Sequence, residues 1–212
     1  MKKHLKSLVE RFEGTKVVVL ADLVLDEFLH GEIARVSREA PVLIIDYRGL
    51  DAMPGGGANA AANVRALGGV PVPVGIVGDD EAGRRLVGLL RSASIDTSGI
   101  VAQAGYATPT KTRVLAGLPH SRPQQVIRID RGAVRTAPAD TAAAAVERGR
   151  ALLGPGVKGV LLSDYGYDLV TPETAAPLVQ EAGRLGIPLT CDSRHRLRGF
   201  RGDAGRAPDR RR

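Results

Sequence analysis

The chain has 212 residues, enough for one domain with a full core, and no apolar run reaches the length of a membrane span. Its net charge of +7 is concentrated at one end, because residues 193–212 hold eight arginines against Asp203 and Asp209, a surplus of six that leaves about +1 for the rest. A nucleic-acid reader spreads its cations over a folded face and interleaves aromatic side chains; here aromatics make up 3% and tryptophan is absent, so neither nucleic acid nor membrane is expected as a partner. The single cysteine, Cys191, excludes an internal disulfide, and no metal-ligand spacing surrounds it. The opening MKKHLKSLVERFEG lacks the apolar stretch and cleavage site of a signal peptide, so a cytoplasmic protein is expected.

Residues 1–13 predict a short amphipathic helix with Leu5, Leu8, Val9 and Phe12 on one side. Lys16 to Ala21 is an unalternated apolar run, as in a strand buried on both faces of a parallel sheet. It leads into Asp22-Leu23-Val24-Leu25-Asp26, and open α/β sheets place ligands at such carboxyl ends. Glu32 to Ser37 alternates and Val42 to Tyr47 is a second apolar run, so residues 31–50 predict an antiparallel flap outside the main sheet. Pro71 to Gly78 predicts a strand whose prolines mark its beginning or an edge. Asp79-Asp80-Glu81 then starts a helix through Leu86, Leu89 and Leu90. Strands are expected near Ile100, at Thr110–Leu115 and at Gln125–Asp130, the last two alternating, with Lys111 beside Arg113 and Arg128 beside Asp130. A helix over 138–153, a buried strand Val157–Leu162 ending in Ser163-Asp164-Tyr165, a helix begun by Thr171-Pro172 and a strand Ile187–Cys191 ending at Asp192 complete the pattern. The class is α/β with a mostly parallel sheet.

Pro54 to Gly69 reads PGGGANAAANVRALGG. Consecutive glycines let backbone N–H groups approach a ligand, and at a helix start those groups are unpaired and electropositive. Asn59 and Asn63, four apart, share one helix face. A tight turn capping a buried helix has the same pattern and needs no ligand. The spacing Gly55-x-Gly57-x-x-Ala60 matches a dinucleotide fingerprint, but that requires a strand ending directly in the glycines, and Pro54 with several polar residues separates Tyr47 from Gly55. An oxidoreductase domain is thus the less favoured reading, and without a lysine after the glycines a P-loop is excluded.

Gly55-Gly56-Gly57-Ala58-Asn59, with Ala61, Gly68 and Gly78 following, resembles the first signature of the ribokinase-like (PfkB) carbohydrate kinases. Ala21 to Asp26, Ser37 to Val42, Gln124 to Asp130 and Ser163-Asp164-Tyr165, in that order, resemble the heptose-7-phosphate kinase branch, the kinase half of bifunctional ADP-heptose synthases. The resemblance covers roughly residues 14–202. It implies a ribokinase-like fold with a small β-lid, here about 31–50 and parts of 105–130, which covers the sugar and often forms a homodimer contact. It implies ATP and Mg2+ as cofactors and a sugar or sugar phosphate as substrate, a heptose 7-phosphate being phosphorylated at its anomeric hydroxyl. Asp22 and Asp26 would accept hydrogen bonds from sugar hydroxyls, and Gly55, Gly56, Gly57 and Asn59 would hold the sugar from the other side. Lys111, Arg113 and Arg128 would meet a substrate phosphate. Asp164 and Asp192 would lie near the nucleotide phosphates and magnesium.

The 212 residues depart from the family pattern in two ways. The Gly-Ala-Gly-Asp motif, which supplies the family's catalytic base and anion hole, is absent, as is the Asn-x-x-Glu motif linked to magnesium. The expectation is therefore a partial kinase domain over 1–202 and an Arg-rich, disordered tail over 203–212, left by a frameshift or premature stop. That alternative is a catalytically incomplete remnant that at most binds sugar or dimerises. Second, Gly166-Tyr167-Asp168 stands where the branch often has a lysine and a glycine after the Asp-Tyr pair, which is expected to weaken phosphate contacts.

Overall fold

The structure, a computed structural model, describes residues 2–118, 120–132 and 137–200; the predicted tail over 203–212 lies outside them. In chain order the first elements are α1 (Lys2–Glu10), β1 (Lys16–Ala21), β2 (Leu23–Val36), β3 (Leu43–Gly55), α2 (Gly56–Ala66), β4 (Val70–Gly78) and α3 (Glu81–Ser92). They are followed by β5 (Ile100–Gln103), β6 (Thr110–Gly117), β7 (Gln124–Arg131), α4 (Ala139–Leu152), β8 (Val157–Asp164), α5 (Pro172–Arg184) and β9 (Leu189–Ser193).

β1 is the middle strand of an all-parallel sheet ordered β5-β4-β1-β8-β9. Its unalternated composition suits that place. Val18 and Leu20 pack into one core with Ala145 and Val146 of α4 and Leu178 of α5. Val19 and Ala21 pack into a second core with Ala58 and Ala61 of α2 and Leu86 and Leu90 of α3. β4 is an interior strand, yet its prolines cost no ladder bond. Pairing with β5 begins only at Gly75↔Ile100, so Pro71 and Pro73 lie in the half of β4 that β5 does not reach.

A second sheet, ordered β3-β2-β6-β7, forms the lid. β2 pairs antiparallel with β3 and parallel with β6, and β6 pairs antiparallel with β7. The lid contains the expected parts of 105–130, as β6 and β7, but its first hairpin begins at Leu23 and ends at Gly55, beyond the expected 31–50 on both sides. Leu23, Val24 and Leu25 are buried and continue the extended chain, so the predicted acidic turn is a joint at Asp22 alone, and Asp26 lies inside β2.

The return of the chain into the lid is pinned at Asp80. Its Oδ1 accepts from Gly83 N (2.7 Å) and the Thr108 hydroxyl (2.6 Å), and its Oδ2 accepts from Thr108 N (2.9 Å). Thr108 Oγ1 accepts in turn from Gly78 N (2.8 Å). The end of β4, the start of α3 and the approach to β6 thus share one carboxylate. Burial alone would raise the Asp80 carboxyl, but the Thr108 hydroxyl and the Thr108 and Gly83 amides outweigh it and hold it below its ordinary 3.8. A depressed carboxyl contributes stability above its unfolded pKa and loses it as pH falls through the folded one. Asp80→Ala should cost about 1–2 kcal/mol near neutral pH. In urea denaturation the gap to the parent protein should narrow as pH drops below 3.8; a gap constant with pH would show that the charge plays no part.

Candidate functional site

The glycine turn closes on the β1–β2 joint. Gly57 N donates to the Asp22 carbonyl (3.0 Å), and a Cβ at Gly57 would stand 2.3 Å from Ala21 Cβ. Gly56 has φ +52°, in the region that favours glycine, and a Cβ there would meet Val24 Cγ2 at 2.7 Å. A Cβ at Gly55 would lie 2.6 Å from Asp26 Cγ, so the Asp26 carboxylate sits directly over the turn. The Gly57 amide is taken up within the chain, which removes it as a ligand donor. Asn59 and Asn63 are both exposed on α2, as their spacing predicts.

β3 does run directly into these glycines, contrary to the sequence expectation, because the polar stretch before Pro54 is lid strand. It is nevertheless an antiparallel strand, with Gly55 opposite Val24 of β2, and β1 ends at Asp22 without a glycine turn. The strand–turn–helix unit of a dinucleotide fingerprint is therefore not formed at Gly55.

One face of the lid faces the joint with charged side chains. Asp26 is register partner of Lys111, Lys111 of Asp130 and Arg113 of Arg128, so these residues share a face across β2, β6 and β7. Arg113 Nη1 donates to Asp26 Oδ1 (2.9 Å), and its guanidinium lies 5.3 Å from the Phe28 ring centroid. Arg128 donates through Nε and Nη2 to the two oxygens of Asp130 (2.9 and 3.1 Å). The Lys111 ammonium lies 5.7 Å from the ring centroids of both Tyr165 and Tyr167, and the Arg194 guanidinium lies 4.9 Å from Tyr165. Burial, and after it the charge of Arg194, holds the Lys111 ammonium below its ordinary value.

The other predicted acids are placed differently. Asp22 is 2% exposed, and its Oδ2 accepts from Tyr165 N (2.8 Å) and Tyr167 N (3.0 Å). It anchors the loop after β8 instead of opening to a sugar. Burial pushes its carboxyl up, and Asp164 adds to the rise against the pull of the two amides. Asp164 is also 2% exposed, with Oδ1 accepting from Gly166 N (2.8 Å) and Oδ2 from the Ser193 hydroxyl (2.6 Å). Asp192 is exposed on β9. The sequence names Tyr165 and Tyr167 only as parts of the Ser163-Asp164-Tyr165 and Gly166-Tyr167-Asp168 blocks and gives none of Tyr165, Tyr167 and Arg194 a site role; all three follow the carboxyl ends of parallel strands, where open sheets bind ligands.

The profile of the pfkB family carbohydrate kinases matches residues 33–151, more than half of the chain. The chain belongs to the pfkB family. Among curated relatives, the bifunctional protein HldE of Mesorhizobium japonicum is 35% identical over 188 residues, which are 89% of this chain and 37% of that protein. The HldE protein of Gluconobacter oxydans is 34% identical over 206 residues, 96% of this chain and 42% of the relative. The chain thus spans about two fifths of the length of these relatives. In fold it is similar to the tetrameric inhibited form of Escherichia coli phosphofructokinase-2, with TM-score 0.60 at 17% identity over 88% of this chain and 57% of the other. A carbohydrate kinase from Agrobacterium tumefaciens gives TM-score 0.52 at 19% identity, over 84% and 53% of the two chains. These likenesses establish the ribokinase-like architecture.

In this pfkB chain the glycine turn tests the packing argument directly. Gly57→Ala should destabilise by about 1–3 kcal/mol through overpacking against Ala21. Gly88→Ala, at an exposed position in α3 where a Cβ meets nothing within 4 Å, should stabilise by up to about 1 kcal/mol. Paired urea titrations check both signs, and equal effects at the two sites would refute the close approach.

Proposed function

We propose that these residues form the acceptor-sugar half of an ATP-dependent carbohydrate kinase whose substrate is a heptose 7-phosphate, phosphorylated at its anomeric hydroxyl. The observation that carries this reading is Asp26. Its carboxylate is partly exposed, lies over Gly55 and is oriented by Arg113. A fixed carboxylate above a glycine turn would accept hydrogen bonds from sugar hydroxyls, and Asn59 would add its amide from the α2 side. The cationic lid face suits an acceptor that already carries phosphate.

ATP and magnesium would enter from the nucleotide side. Among the described residues no cluster of three His, Cys, Asp or Glu side chains is placed to hold a metal ion. Both Asp164 oxygens are engaged by Gly166 and Ser193. Magnesium keeps several waters and takes one or two carboxylates together with substrate phosphates, so Asp192, exposed on β9, would be the carboxylate to meet a nucleotide-bound ion. The family's base motif is absent from the 212 residues, and on our reading these residues supply the acceptor side of the reaction. The lid also supplies a surface for a second copy: Val36, Leu43, Tyr47, Val126, Ile127 and Ile129 are exposed on its strands.

Calorimetric titration with heptose 7-phosphate should show binding by the 212-residue protein, weakened about tenfold or more by Asp26→Asn. A coupled assay with ATP should show no turnover. Turnover would refute the incomplete-site reading, and an Asp26→Asn protein that binds like the parent would refute the acceptor site.

A further inference from the structure

Asp26 and Glu27 are consecutive in β2, so their side chains point to opposite faces of the lid. Asp26 faces the glycine turn. Glu27 faces α3 and is 7% exposed. Two of its partners belong to the lid itself, the Thr112 hydroxyl and Arg131 Nη2, each donating to Oε2 at 2.6 Å. The other is Arg85 of α3, whose Nη1 lies 3.8 Å from Oε1. Arg85 also donates from Nη2 to the Leu50 carbonyl of β3 (3.2 Å). One guanidinium from the core thus reaches both strands of the first lid hairpin. A carboxylate largely out of water needs its cations, and a planar guanidinium can serve two acceptors at once.

The root of Arg85 is firm. Asp80 caps α3 through Gly83 N (2.7 Å), and Leu86, next to Arg85, is fully buried in one core with Leu23 and Leu25 of β2. The partner of Asp26 is Arg113 on β6, inside the lid, so that pair turns with the lid. The hairpin joins the core at Asp22 and at the glycine turn, where Gly57 N meets the Asp22 carbonyl. Glu27 lies five residues beyond Asp22, and Leu50 five before Gly55. Arg85 therefore grips the hairpin beyond its joint, where a contact resists rotation about that joint. The lean of the hairpin decides where Asp26 stands relative to α2, the other wall of the acceptor site.

We propose that Arg85 is a positioning residue of the acceptor site: it holds the first lid hairpin against α3 and so fixes where Asp26 stands over the glycine turn. The inference rests on the sugar-kinase reading above. Arg85 lies on the lid face away from the cleft and acts through β2, one residue along from Asp26. Its loss leaves Glu27 with Thr112 and Arg131, so the lid keeps its own strand order and loses its orientation on the core.

The test uses the full chain with Arg85→Gln, Arg85→Lys and, as a control on the same helix, Arg84→Gln, whose side chain pairs with Asp79. The Arg85 side chain is 35% exposed, so its substitution leaves no void in the core. Amide hydrogen exchange should rise about tenfold or more in β2 and β3 of R85Q and stay within about twofold of the parent in β1 and β8. R85K, which keeps the charge without the forked reach, should fall between, and R84Q should match the parent. Calorimetry with heptose 7-phosphate separates positioning from mere support. R85Q should weaken binding about fivefold or more, and in the Asp26→Asn protein the same change should have no further effect, because it acts through Asp26. Exchange that rises alike in lid and core overturns the proposal, as does R84Q behaving like R85Q. So does R85Q binding like the parent, or its effect adding in full to that of D26N. Failure of the parent protein itself to bind heptose 7-phosphate overturns the sugar-kinase reading and the role of Arg85 in it together.

Discussion

The hydrogen bonds of Asp22 hold the two halves of the cleft in register. Its N–H donates to the Ser163 carbonyl at the end of β8, its carbonyl accepts from Gly57 at the start of α2, and its carboxylate takes the amides of Tyr165 and Tyr167. One residue therefore joins the last turn of β1 to the glycine turn on one side and to the aromatic loop on the other. Burying a carboxylate is unfavourable, and its raised carboxyl means that deprotonation at neutral pH works against the fold, with the linked stability lost as pH rises through the folded value. The gain lies in position: without Asp22 the walls around Lys111 have no common support.

Strand register explains the division of labour among the cations. β6 alternates Lys111 and Arg113 on the cleft face, and β7 runs antiparallel beside it, placing Asp130 opposite Lys111 and Arg128 opposite Arg113. Two arginines facing each other repel unless each finds an acid. Arg113 turns to Asp26 on β2, and Arg128 turns along its own strand to Asp130. Asp130 thereby bonds Arg128 and acts on Lys111, its register partner, only through space, as Asp26 does. The lack of an ion pair at Lys111 among the described residues follows from which strand flanks which, with no change in composition.

That register is also the limit of what the sequence shows. The buried run at Lys16–Ala21, the alternation at Thr110 and Gln125 and the Thr171-Pro172 helix start are local patterns, and each yields the observed element. The pfkB-like glycine block was legible because its constraint is local too, with three positions where a Cβ cannot fit. Two features depended on long-range contact and were not legible. Asp22 and Asp26 look alike in sequence, yet one is closed off by amides from residues 143 and 145 positions away while the other stays partly open. Equally, Lys111, Arg113 and Arg128 look interchangeable until Asp26, Asp130 and the two tyrosines are placed around them. The extent of the lid exceeds the expected 31–50 for a different reason. Asp51 and Pro54 are poor strand formers, and β3 runs through them only because β2 pairs with it along its length.

The lid is fixed at its base by contacts of the same kind. It is tied to the core where β2 leaves Asp22, where β3 enters the glycine turn and where Thr108 is clasped by Asp80, and Leu25 N donates to the Pro109 carbonyl (2.8 Å) between these points. On the lid face opposite Asp26, Glu27 accepts from Thr112 on β6 and Arg131 on β7, both at 2.6 Å, and lies 3.8 Å from Arg85 of α3. The base of the lid is thus knitted to the core. Asp26 and Arg113 stand at the knitted base, joined by a hydrogen bond of 2.9 Å. Their geometry is set within the chain, and a ligand meeting them would lose little free energy to ordering these two side chains.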